Sequence, residues 1–69
     1  MQFVICTKNQ DCEDLMLFKV YQVIADEKAA QVNYIRVVDE SGEDYLYPAD
    51  YFMPITLTEK IEQAILQAA

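Results

Sequence analysis

Apolar residues fall in short runs separated by polar ones along most of the chain, and the spacing changes near the C-terminus. Phe3, Val4 and Ile5 within residues 2–7 predict a strand, and the polar stretch 8–14 predicts a loop. Residues 15–25, LMLFKVYQVIA, form a longer apolar run. Its Val20, Tyr21, Val23 and Ile24 favour a strand, placed at 17–25. Residues 26–31, DEKAAQ, hold helix formers but are too few to stand alone, which predicts one helical turn capped by Asp26. Further strands are expected at 32–39, 43–47 and 51–55. Leu57, Ile61, Ala64, Ile65 and Ala68 then fall on one helical stripe and predict a helix at 58–68. Thr58 or Thr56 can cap it, and Thr56 with Glu59 also fits a capping box. Leu66 lies off the stripe and marks a candidate second contact.

Residues 39–47, DESGEDYLY, set the phase of the central hairpin. Asp39 and Gly42 suit the first and last positions of a type I turn, with Gly42 taking positive φ as a bulge. That geometry sets Asp39 opposite Glu43, Val37 opposite Tyr45 and Ile35 opposite Tyr47. Arg36 and Leu46 then share the other face. A two-residue Ser41–Gly42 turn would slip the register by one and move both tyrosines to the face of Val38 and Arg36. The first register is preferred, because the second forces Ser41 into a left-handed conformation. Tyr45 and Tyr47 are therefore expected in the core. Tyr34 and Leu46 should lie on the outer face, either beneath the C-terminal helix or open for binding. The short connections favour an antiparallel meander, a mainly β (β-rich α+β) single domain over residues 1–69.

Composition narrows the function. Twelve Asp and Glu oppose five Lys and Arg, a net charge of −7. Phosphate backbones and anionic lipid are poor partners for such a surface, so neither nucleic acid nor membrane is expected. A solvated acidic surface is the plain reading, and a basic partner steered in by the field is the sharper one. A hydrophobic fraction of 54% supports a packed core. No apolar window is long enough for a membrane span and the N-terminus does not read as a signal peptide, which predicts a cytoplasmic protein. Cys6 and Cys12 are the only cysteines and are expected to be reduced and structural. Lys8 on the face of Cys6 would lower the thiol's pKa.

At residues 45–52, YLYPADYF, the chain resembles the end of a Src-homology-3-type barrel. There an apolar strand runs into Pro, two small or polar residues, then Tyr and the apolar residue that opens the last strand. The resemblance implies a small five-stranded antiparallel Src-homology-3-like barrel, here followed by a C-terminal α-helix. It implies a 3-10 turn at 48–51, Tyr47 and Phe52 pointing inward, and Ile55 as a further core position. In peptide-binding members the Pro and Tyr help form grooves for proline-rich ligands, which makes Pro48 and Tyr51 groove candidates. The acidic loop Asp11, Glu13 and Asp14 is similar to the loop that pairs with a ligand Arg in that family. The chain also resembles a group of uncharacterised small bacterial proteins carrying ESGEDYLYP.

Catalytic chemistry finds no support. The chain has no His, and its single Ser lies in the turn, so no nucleophile–base pair can be named. Calcium at Asp11, Glu13 and Asp14, or around Asp39 to Asp44, would need a loop pattern that neither stretch follows, so no metal or cofactor is expected. The expectation is a non-enzymatic protein- or peptide-interaction module, with Tyr51, Pro48, Asp11, Glu13 and Asp14 as binding candidates. The alternative is a structural or accessory protein acting as a homodimer or as a small subunit of a larger complex.

Overall fold

The computed structural model describes residues 2–68, with only the backbone of Ala68; Met1 and Ala69 lie outside the described residues. It is mainly β, an open five-stranded antiparallel sheet followed by a C-terminal helix. The strands are β1 (Gln2–Cys6), β2 (Val20–Ile24), β3 (Tyr34–Val38), β4 (Asp44–Pro48) and β5 (Phe52–Ile55), in spatial order β4-β3-β2-β1-β5. Helix α1 (Glu27–Gln31) joins β2 to β3, a 3-10 turn (Ala49–Tyr51) joins β4 to β5, and α2 (Glu59–Ala68) closes the chain.

Local chemistry accounts for most boundaries. The Asp26 carboxylate accepts a 3.0 Å hydrogen bond from the Ala29 amide, so it caps α1. The helix ends where Asn33 takes a φ of 61°, a left-handed conformation that Asn tolerates. Gly42 has a φ of 84°, its amide donates to the Asp39 carbonyl, and the Asp39 amide donates to the Glu43 carbonyl. The resulting pairs, Val37 with Tyr45, Arg36 with Leu46 and Ile35 with Tyr47, are those the turn chemistry predicts. Thr58 is the cap of α2, its hydroxyl accepting from the Ile61 amide at 3.2 Å.

Val4, Cys6, Leu15, Tyr21, Val37 and Phe52 form the core cluster, with Cys12, Val23, Ile35, Tyr47 and Tyr51 packed against it. The rings of Tyr47 and Phe52 meet edge to face at 6.1 Å. Phe3, 2% exposed, and Ala29 are buried outside this cluster. Phe3 pairs with Gln22 and Ile55 on the opposite face of the sheet, so Ile55 belongs to that side and not to the main core.

Three further expectations are corrected, and one left open is decided. Tyr45 is 47% exposed, because β4 is an edge strand and no further strand covers the ring. The second strand begins at Val20, not residue 17, because Phe18 has a φ of 63° and leaves extended geometry. Of the two placements open to Tyr34 and Leu46, the structure shows the exposed one, since α2 does not cover them. Finally, Ile61 is 47% exposed and Ala64 is exposed, whereas Glu62, Ile65 and Leu66 are half-buried. The burial of α2 is therefore rotated from the stripe that the apolar spacing predicts. Leu66, off that stripe, is half-buried, and the Ala68 side chain lies outside the described residues.

Candidate interaction surface

The connection between β1 and β2, residues 7–19, is the longest in the chain, and it is built rather than loose. Leu15 enters the core, the Asn9 side-chain amide donates to the Leu15 carbonyl at 3.0 Å, and the Cys12 amide donates to the Asn9 carbonyl at 3.0 Å. The Glu40 amide donates to the Asp14 carbonyl at 2.9 Å and ties the loop to the β3–β4 hairpin. At its start the loop is fastened to the 3-10 turn. The Tyr51 carbonyl accepts from the Thr7 amide (2.8 Å), the Lys8 amide (3.2 Å) and the Thr7 hydroxyl (3.2 Å).

These bonds join the loop carrying three of the predicted residues to the turn carrying the other two. Asp11, Glu13 and Asp14 are exposed, and their side chains make no hydrogen bond or ion pair among the described residues. Pro48 and Tyr51 are half-buried. Tyr51 does not stand free, because its ring packs against the core cluster and leaves one side for contact.

Sequence reasoning missed the loop's tip. Met16, Leu17 and Phe18 are all exposed, Phe18 at 71%. The Phe18 amide donates to the Cys6 carbonyl and the Cys6 amide donates to the Lys19 carbonyl, so two residues face one and form a bulge. Phe18 takes the left-handed position where glycine is the usual occupant, at a cost of about 1–2 kcal/mol. An exposed ring held in such a conformation contributes little to folding. Phe18→Gly is therefore expected to melt at or above the wild-type temperature, with any net change within about 1 kcal/mol. A larger loss in thermal unfolding would show that the ring packs. The missed signal was Lys19, which interrupts the apolar run just before the true strand.

Beside the surface lies a polar network that the sequence did not announce. Asp39 is 5% exposed; its carboxylate accepts from Tyr47 at 2.6 Å and from the Ser41 amide at 2.9 Å and hydroxyl at 2.5 Å. Burial pushes this carboxyl up, but the Ser41 and Tyr47 donors outweigh it and hold it below the ordinary range. The same carboxylate, with burial as the larger cause, drives the Tyr47 hydroxyl well above its usual value. Glu40 takes 2.8 Å and 2.6 Å hydrogen bonds from Lys19 and Tyr21, and both lower its pKa.

The cysteines are free. Burial pushes the Cys6 thiol up, more than its contact with the Lys8 backbone lowers it, so Lys8 does not activate it. Burial and then the nearby Asp11 likewise raise Cys12. Neither is a ready nucleophile. Among the described residues no three His, Cys, Asp or Glu side chains gather as a metal site, and no helix is long and apolar enough to cross a membrane. A cleft of about 160 Å³ among the described residues, lined by Val4, Val23, Ile35, Phe52 and Pro54 among others, is smaller than the roughly 300 Å³ at which small-molecule sites begin. No family model, curated protein or solved structure matches the chain.

Proposed function

We propose that this protein is a small non-enzymatic interaction module with a Src-homology-3-like barrel, in which loop 7–19 and the Pro48–Tyr51 turn together hold a basic peptide segment of a partner protein. The observation that carries this reading is the fastening of an acidic, apolar-tipped loop onto the Tyr51 carbonyl. Unpaired carboxylates and exposed Met16, Leu17 and Phe18 then offer charge and apolar contact on one rigid frame. The barrel is supported by the strand order. β4 and β5 are opposite edges of the sheet, yet only Ala49–Tyr51 separate them in sequence, which requires the sheet to curl. A non-enzymatic role is supported by Ser41, whose hydroxyl is engaged by Asp39, and by thiols that burial keeps protonated. The acid-rich composition argues against nucleic acid and anionic membranes as partners, and the reduced thiols fit a cytoplasmic location.

Calorimetric titration with a panel of basic proline-rich peptides tests this. Neutralising Asp11, Glu13 and Asp14 to Asn, Gln and Asn should weaken the best binder on the order of tenfold and flatten its salt dependence. Equal affinity before and after neutralisation removes the acidic loop from the site.

A further inference from the structure

The two edges of the sheet are not equivalent. Antiparallel pairs alternate between residues that bond each other and residues whose backbone groups point away. On β5 the phase is set by the Thr7 amide donating to the Tyr51 carbonyl, which makes Phe52 and Pro54 the residues directed at the free edge. The Phe52 amide is already taken by the Ala49 carbonyl, and Pro54 has none. No strand amide is left there for a partner.

The β4 edge is the reverse. Its phase is fixed at both ends, by the Asp39 amide on the Glu43 carbonyl and by the Ala49 amide on the Asn33 carbonyl. In that register Tyr45 and Tyr47 bond β3, while Asp44, Leu46 and Pro48 direct their backbone outward. Asp44, Tyr45 and Leu46 are all exposed. The edge has no inner proline, lysine or bulge, the usual devices that stop strands from pairing.

We propose that the β4 edge pairs with the β4 edge of a second copy, antiparallel about a two-fold axis at Leu46. The match is self-complementary. Leu46 bonds its symmetry mate in both directions, and the Asp44 amide of each copy meets the Pro48 carbonyl of the other. The one donor that proline lacks falls at the open end of the ladder. Leu46 faces Leu46 on one side of the joined sheet and Tyr45 faces Tyr47 on the other. No like charges stand opposite each other. Each Asp44 faces Pro48, is already paired with Arg36 at 3.0 Å, and lies roughly 13 Å from its mate, beyond the screening length of about 8 Å at physiological salt. The net −7 on each copy opposes association at long range, so added salt strengthens this dimer, whereas it weakens a basic ligand held by charge.

Sedimentation equilibrium and amide exchange from micromolar to millimolar protein test the pairing. The expected result is a mass rising from 8.0 kDa toward twice that value, more readily at high salt. The Asp44 and Leu46 amides should gain protection with concentration, while Tyr45 and Tyr47, which bond β3 in either state, stay constant. Leu46→Pro removes an outward donor and no native ladder bond, so it should keep its melting transition and weaken association at least tenfold. Leu46→Lys, which keeps the donor but sets two charges on the axis, should do the same if the proline variant folds poorly. A mass that stays monomeric at millimolar protein in both salts overturns the proposal. Concentration-independent exchange at 44 and 46, or a dimer unchanged by Leu46→Lys, does so as well.

Discussion

Phe3→Ala is expected to remove a third or more of the domain's stability, the largest loss of any single substitution considered. Phe3 is 2% exposed, so truncation removes its transfer free energy and leaves a cavity, together about 3–5 kcal/mol. A domain of 69 residues has a total stability of roughly 3–10 kcal/mol at typical values per residue. The loss is therefore a large share of the whole. Because Phe3 lies on the face opposite the main cluster, the result also reports on the smaller buried layer on that side. Urea unfolding followed by circular dichroism measures it. A loss below about 1 kcal/mol would mean that the ring is solvated and that this layer is not formed.

Asp39→Ala has the second largest expected effect. The substitution leaves the Tyr47 hydroxyl and the Ser41 donors without their shared acceptor in a half-buried setting, at a cost of about 2–3 kcal/mol. It also carries a pH signature. Asp39 is held below the ordinary carboxylate range in the folded state, so its ionised form stabilises the fold. That contribution is complete above the unfolded pKa of about 4 and fades as pH falls through the lower folded value. The gap in melting temperature between wild type and Asp39→Ala should thus be constant near neutrality and narrow between about pH 4 and pH 2. A gap that widens on acidification would contradict the assignment of Asp39 as the ionised acceptor.

Local chemistry was legible in the chain, and long-range position was not. Gly42 and Asp39 fixed the hairpin register because a turn of four residues carries its own instructions, and Asp26 announced its cap for the same reason. Tyr45 could not be placed by that register. It shares a face with Tyr47, and its exposure follows from β4 being an edge, which depends on the order of all five strands. Leu66 is half-buried and Ile61 exposed, the reverse of the predicted stripe, because periodicity gives a helix its faces but not the orientation in which they are set against the rest of the chain. Of the surface itself, the acids and the Pro48–Tyr51 turn could be read directly. The apolar tip Met16–Phe18 was hidden, since an exposed apolar run has the same composition as a buried strand. The buried Asp39 was hidden too, because its partners Tyr47 and Ser41 meet it only once the hairpin has closed.

The central claim is that loop 7–19 and the Pro48–Tyr51 turn act as one binding surface. An amide chemical-shift map of the intact protein, titrated with the basic proline-rich peptides, tests it most directly. The predicted result is a contiguous set of shifts across Asp11 to Phe18 and at Tyr51, with the β5 edge unmoved. Silence in both segments across the whole panel, or shifts in one without the other, would contradict it.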